Sequence, residues 1–404
     1  MKKEATTSRN WLINFKVLLS TDIGLLLITV GLVCFGLLMV YSSSFIFAQE
    51  RTGDGFAFIK KQLLFAALGL IGMVFVSRVP YRKWYDWAYP MLGMTILMLV
   101  LVLVPGVGAR VGGAQRWLRL GFFNFQPGEL AKFVLIIFAA RQLSSKADRL
   151  HRFTAGILSV FLLALPAMVL LLAQPDFGTV AMISMVLFGL IFLAGVSYRY
   201  LASIIASGSV MAAILIFGST YRRMRLQAFL DPWSDPSGKG FQIIQSLLGF
   251  SNGGIWGTGL GNGKEKLFYL PEAHNDFIFA VIGEELGFIG VAVLVAAYLF
   301  FLFRGFRVSY NANRASGDLF ALLLGSGITL AIVLQAFVNM SVVLGLVPTK
   351  GLTLPLISYG GSALMVDLLA VGVLLGLSRE ISRQMITDSR KVERKVQDEH
   401  VFEA

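Results

Sequence analysis

The stretch Leu270-Pro271-Glu272-Ala273-His274-Asn275-Asp276-Phe277-Ile278-Phe279-Ala280-Val281-Ile282 sets a carboxylate and an imidazole at the last polar step before an unbroken apolar run. The residues before it, 219–274, are polar and glycine-rich, and the run 275–303 is long enough to cross a bilayer as helix. Ionisable groups at such a boundary are costly to desolvate and are kept for function. The stretch reads as a loop re-entering a membrane, with candidate chemistry at its end.

Outward from this point the same alternation repeats. Of 404 residues, 56% are hydrophobic and 14% charged, whereas a soluble domain carries charge at roughly a quarter of its positions. Ten apolar segments are predicted, at 22–43, 62–79, 88–105, 127–142, 153–173, 178–197, 200–218, 275–303, 317–345 and 356–378. They imply an all-α polytopic integral membrane protein of about ten transmembrane helices with one large loop, 219–274. The fourth segment is short and holds Glu129 and Lys132. Only Gln174-Pro175-Asp176, a polar break with a helix-stopping proline, separates the fifth from the sixth.

An even number of spans puts both termini on one side. Twenty-one of the 35 Lys and Arg residues fall on that side and 13 on the other, with Lys132 inside a span. The positive-inside rule then makes both termini cytoplasmic and the loop 219–274 extracytoplasmic. The chain divides into an N-terminal tail 1–21, a membrane domain 22–378 and a C-terminal tail 379–404 that alternates basic and acidic residues. Its net charge of +12 is dispersed between apolar blocks, which suits anionic lipid headgroups and argues against nucleic acid. The single cysteine, Cys34, excludes an intramolecular disulfide. Lys2, Lys3, Arg9 and Lys16 precede an apolar run too long for a signal peptide, so an uncleaved first span is expected.

Several constellations carry candidate chemistry. Asp276 has two compatible readings: an N-cap for the following helix, or a general base with its pKa raised by partial desolvation. Glu272, His274 and Asp276 alternate along the chain, but no fixed spacing rule makes them a metal triad, and metal ligands stay unknown. The run from Gly253 to Lys264 fails the phosphate-loop pattern, because Thr258 stands five residues before Gly263 and Glu265 follows Lys264. It reads either as a loop whose N–H groups approach a phosphate or as a plain flexible loop. Glu129 and Lys132, three apart on one helical face, form an ion pair within the bundle or line a substrate cavity. Glu284 and Glu285 point to different faces of their span, and Asp367 needs a partner. Arg116, Arg222, Arg223, Arg225 and Lys350 are placed to receive an anionic headgroup or pyrophosphate. The run Pro348 to Ser362, with two prolines and paired glycines, predicts broken helix lining a wet cavity, with Ser358 among the substrate-binding candidates.

Taken in order, these motifs resemble the SEDS family (shape, elongation, division and sporulation). The resemblance is carried by Gly113 to Trp117, Gln126 to Lys132, Gln174 to Thr179, Gly240-Phe241-Gln242, Leu270 to Asp276, Gly283 to Gly287, and Pro348 to Ser362. It covers nearly the whole chain except the tails. Pro348-Thr349-Lys350-Gly351-Leu352-Thr353 looks more like the cell-division members than the elongation members. Phe241 stands where relatives often have Tyr, and Asn275 where many have Thr; neither departure removes an ionisable group.

The resemblance implies a peptidoglycan glycosyltransferase of the cytoplasmic membrane that polymerises lipid II at the division septum. It also implies a class B penicillin-binding transpeptidase partner and other divisome membrane proteins. Carried onto this chain, the family's essential loop aspartate is Asp276, with Glu129, Arg116, Lys132, Arg222, His274, Lys350 and Ser358 as substrate-binding candidates. A divalent cation, Mg2+ or Mn2+, is an accompanying expectation for the pyrophosphate. Two other functions stay open, a lipid II flippase and a non-catalytic scaffold for the transpeptidase.

Overall fold

The computed structural model describes residues 21–111, 114–121, 123–150, 153, 158–238, 240–266, 270, 272–348 and 351–402; the side chains of 111, 120, 123, 221, 222 and 382–402 fall outside the description. Twelve α-helices are described, and ten of them match the ten apolar segments: α1 (Ile23–Thr52), α2 (Ala57–Val76), α3 (Tyr81–Leu103), α4 (Pro127–Ser144), α5 (Ser159–Ala173), α6 (Phe177–Leu193), α7 (Tyr198–Phe217), α10 (Ile278–Ser316), α11 (Leu319–Val343) and α12 (Gly361–Phe402). Seven of the ten are long and apolar enough to cross a membrane; α5 and α6 are shorter apolar helices, and α4 carries charge. The fold is an all-α polytopic membrane bundle. Two further helices, α8 (Thr220–Leu230) and α9 (Phe241–Gly253), lie in the large loop.

Between α3 and α4 the chain adds a small antiparallel sheet in the order β1 (Gly108–Val111), β2 (Ala114–Leu120), β3 (Phe123–Phe125). Within it Ala109 pairs with Trp117 and Leu118 with Phe125.

Carboxylates start three of the helices. Asp22 accepts the Leu25 N–H at 2.8 Å, Asp176 the Thr179 N–H at 3.3 Å, and Asp318 the Phe320 N–H at 2.9 Å, each satisfying an orphan donor at the positive end of the dipole. Asp22 also binds Arg304 of α10 at 2.7 Å, and its N–H donates to Ser378 Oγ of α12 at 2.8 Å. The start of the first span is thereby pinned to two others.

The centre of the bundle is made by α4, α11 and the first part of α12, whose side chains are mostly buried. Helix α12 packs along α2, and α11 against α4, α6 and α10. The segment 351–360 before α12 is not helical and dips into the bundle beside α1. A Cβ on Gly36 would lie 2.6 Å from Ile357 Cα, so only glycine lets the helix pass this close. Helix α7 is exposed along most of its length; Leu201 is its one buried side chain.

The glycine-rich stretch is neither an open phosphate loop nor a plain flexible one. Helix α10 breaks at Gly287, whose φ of 64° and ψ of −165° no L side chain adopts without strain. The loop satisfies the backbone groups this break frees. Thr258 and Gly259 donate to the carbonyls of Glu284 and Glu285 at 2.9 and 3.0 Å, while Phe288 and Ile289 donate to Gly254 and Ile255 at 2.9 and 3.3 Å. Glu284, fully buried, accepts the N–H groups of Lys264 and Glu265, and Glu285 holds Lys266 at 2.6 Å and Ser42 at 2.8 Å. The two carboxylates do point to different sides, and both are spent on fastening this loop.

Candidate active site at the loop end of the bundle

Asp276 is held by its backbone, leaving its side chain to the site. Residues 272–277 form a turn in which Asn275 N–H donates to Glu272 O at 3.0 Å. Three successive carbonyls of this turn are then taken by three donors. Tyr359 N–H donates to His274 O at 3.0 Å, Ser358 Oγ to Asn275 O at 2.7 Å, and Asn339 Nδ2 to Asp276 O at 2.8 Å. Asn339 Nδ2 also reaches Leu352 O at 2.5 Å, and Ser358 Oγ accepts the Leu354 N–H at 2.8 Å. The broken segment 351–360 is thus the cradle of the Asp276 turn. Gln62 of α2 clamps it from outside, donating to Ser358 O and accepting the Gly360 N–H, and Tyr298 of α10 donates to Pro355 O.

The N-cap reading of Asp276 is not realised, since the capping position is Phe277 and carries no side-chain cap bond. Its carboxylate instead faces Gly351, where an added Cβ would lie 2.8 Å from Oδ2. Burial pushes the carboxyl up to about 7; the neighbouring Glu272 adds to this, and the guanidinium groups of Arg225 and Arg116 oppose it. A carboxylate titrating near neutral pH, beside two cations, can accept a proton from an attacking hydroxyl.

Arg116 belongs to β2 and reaches across to the break between α5 and α6. Its Nε donates to Gln174 O at 3.3 Å, Nη2 to Pro175 O at 2.5 Å, and Nη1 lies 3.9 Å from Asp176 Oδ1. Gly178 of α6 meets the Leu352 side chain, so the hairpin, the α5–α6 break and the cradle segment converge. Deeper in the bundle, Lys132 pairs with Glu129 at 2.6 Å and donates to Gln335 Oε1; Gln335 Nε2 in turn donates to Thr353 O at 3.0 Å. The ion pair therefore also braces the cradle. Asp367 finds its partners here, the Lys132 charge and the Leu356 backbone N–H. Lys132, Glu129, Gln335 and Asp367 line a cavity of about 20 Å3, room for a water molecule.

The sequence profile of the cell cycle protein family that groups FtsW, RodA and SpoVE matches residues 24–383. The chain belongs to that family. Among curated proteins, the probable peptidoglycan glycosyltransferase FtsW of Geobacter sulfurreducens is 46% identical over 372 residues, covering 91% of this chain and 98% of the relative. The stage V sporulation protein E of Bacillus subtilis is 40% identical over 360 residues, covering 89% and 97%. Among solved structures, a chain of the complex described as "Structural coordination of polymerization and crosslinking by a peptidoglycan synthase complex" superposes with a TM-score of 0.73 at 32% identity, covering 89% of this chain and 98% of that one.

Within this family member the other expected site residues divide clearly. His274 is buried among the rings of Phe58, Phe47 and Tyr359 at 4.8, 5.4 and 5.7 Å. Burial holds its imidazole below the ordinary range against the pull of Glu272, and Arg51 lowers it further, so it packs as a neutral ring. Ser358 spends its hydroxyl on backbone groups, which makes it a support of the cradle. The Arg222 side chain and Lys350 lie outside the described residues. Among the described residues no three His, Cys, Asp or Glu side chains converge to hold a metal ion. Four residues went unread in the sequence: Gln62, Tyr298, Gln335 and Asn339. Each is a polar side chain within an apolar span, and that isolation is the signal that could have found them, because such a group must find a partner inside the bundle.

Proposed function

We propose that this chain is a peptidoglycan glycosyltransferase that polymerises lipid II into glycan strands, with Asp276 as its general base. The observation that carries this reading is the Asp276 turn itself, whose three successive carbonyls are held by Tyr359, Ser358 and Asn339 while its carboxylate, pushed up to about 7 by burial, feels the charges of Arg225 and Arg116. The acceptor sugar hydroxyl attacks the anomeric carbon of the donor and loses its proton to Asp276. The bond between that carbon and the lipid pyrophosphate breaks, and the pyrophosphate leaves with the electron pair. Arg116 and Arg225 stabilise the departing charge, a role in which preorganised cations are effective. A divalent cation, Mg2+ or Mn2+, would arrive with the substrate pyrophosphate and offset its charge, since among the described residues no ligand cluster converges to hold one.

The Lys and Arg bias supports cytoplasmic termini and, with them, chemistry at the outer face of the cytoplasmic membrane. The likeness to the FtsW relatives and to a synthase complex that couples polymerization to crosslinking supports septal use during cell division and pairing with a class B transpeptidase and other divisome proteins. The flippase reading gains no support from the polar cavity at Lys132, which at about 20 Å3 suits water and not a sugar headgroup. A scaffold alone has no use for a rigidly held carboxylate.

The test compares purified wild type with Asp276→Asn, each with its transpeptidase, on labelled lipid II. Wild type makes long strands and the variant makes none while staying folded. Strands from the variant at near wild-type rate refute the assignment of the base.

A further inference from the structure

Two ties between α1 and α10 lie about one hydrocarbon thickness apart along both helices. At one end Asp22 binds Arg304 at 2.7 Å, and at the other Ser42 binds Glu285 at 2.8 Å. Asp22 and Ser42 are twenty positions apart, about 30 Å of helix, and Glu285 and Arg304 nineteen apart, about 28 Å. Both lengths equal the hydrocarbon thickness of about 30 Å, and both enclose the apolar stretch of their helix. Exposure along α10 agrees. Residues Ile278 to Glu285 are all buried, whereas Phe288 and Val293, just past the Gly287 break, are 66% and 65% exposed. Lipid contact on α10 therefore begins at the break.

The glycine-rich loop is fastened at this level. Gly254 and Ile255 accept the N–H groups of Phe288 and Ile289, three and four residues past Glu285. The attachment is rigid, since a Cβ on Gly257 would lie 2.2 Å from Glu285 O and one on Gly287 2.4 Å from Gly257 N. Yet Ile255 and Trp256 are 63% and 81% exposed, forming an apolar tip continuous with the lipid-facing side of α10. Indole belongs at the headgroup level, where its apolar body and polar N–H are both accommodated.

We infer that the Ile255–Trp256 tip inserts into the bilayer interface, making the glycine-rich loop a lipid anchor. The occupant of this patch is phospholipid, at the boundary of headgroups and acyl chains. The anchor is continuous with the catalytic turn, because Glu284 and Glu285 clamp residues 264–266 and the chain then runs on to 272–276. Bilayer insertion thus fixes the height of the loop that carries Asp276.

The experiment replaces the native cysteine (Cys34→Ser), introduces Trp256→Cys or Ile255→Cys, and attaches a nitroxide. The labelled protein, without any partner, is reconstituted in vesicles of phosphatidylethanolamine and phosphatidylglycerol. Collision rates with oxygen and with a water-soluble nickel chelate then report depth. The expected result is oxygen dominating severalfold at both positions, approaching a label at Val293→Cys. Nickel dominating at both positions overturns the proposal and is the outcome that a docking patch for a protein partner would give. A second measurement leaves the loop apolar: tryptophan quenching by brominated phospholipid is compared between wild type and Trp256→Phe. Loss of a strongly quenched component supports insertion, and identical quenching overturns it.

Discussion

If Asp276 is the base, polymerisation follows its ionisation. With a pKa of about 7, the carboxylate is about 9% ionised at pH 6 and about 91% at pH 8, so the rate rises roughly tenfold over that interval. An ordinary aspartate, titrating near 3.8, would leave the rate flat there. Glu272 raises the Asp276 pKa and Arg225 lowers it, so Glu272→Gln moves the midpoint of the profile down and Arg225→Gln moves it up. The assay is the initial rate of strand synthesis from labelled lipid II between pH 5.5 and 8.5.

The same shift has a signature in stability. The folded state binds this proton more tightly than the unfolded chain does. The contribution is therefore fully present below about pH 3.8 and is lost as the pH rises through about 7. Moving a pKa from 3.8 to about 7 corresponds to about 4 kcal/mol, which the partial exposure of Asp276 discounts to about 2 kcal/mol. Asp276→Asn then raises the melting temperature at pH 8 and leaves it near wild type at pH 4. A wild-type rate profile flat from pH 6 to 8, or an Asn variant no more stable at pH 8, refutes the reasoning.

Three other perturbations probe the frame around this carboxylate. Asn339→Leu removes the donor shared by Asp276 O and Leu352 O and leaves buried carbonyls unpaired; a loss of about 1–3 kcal/mol and a fall in kcat with little change in KM are expected from thermal melts and kinetics. Lys132→Met strands the buried Glu129 charge and costs about 3–5 kcal/mol, while adding Glu129→Leu restores the melting temperature without restoring activity, a double-mutant cycle that separates charge burial from bracing of the cradle. Gly287→Ala forces a Cβ to within 2.4 Å of Gly257 N at a φ of 64°, so folded yield on size exclusion collapses, whereas Gly31→Ala, in open space on α1, leaves it unchanged.

What could be read in the sequence follows from how strongly the bilayer constrains a chain. Ten apolar segments became ten helices because backbone in hydrocarbon must satisfy itself, and Asp276 was conspicuous because charge at that boundary is expensive. The non-helical segment 351–360 was legible for the same reason, since the prolines and glycines in and around it cannot continue a helix at that depth. The β hairpin went unread although Ala114 to Leu120 largely alternates in polarity, because its strands are short and sit among loops. The break in α10 was hidden more deeply. Glu284-Glu285-Leu286-Gly287-Phe288 reads as continuous helix, and only the pairing of the freed backbone with residues 254–259 makes the interruption stable. That pairing joins positions about thirty apart, beyond the reach of any local pattern. The glycines on both sides are required by close approach, and the stretch read as a phosphate-approaching or plain flexible loop is a folded plug in which the N–H groups of Gly254, Gly257, Thr258, Gly259, Asn262 and Lys264 are paired within the protein. The candidate site was likewise half legible. Its charged groups were visible one by one, but the polar side chains that immobilise them, Gln62, Gln335 and Asn339, act only through loops that tertiary structure brings within hydrogen-bonding distance. In a bundle whose apolar contacts are interchangeable with lipid, such buried polar ties supply the specificity that packing alone cannot.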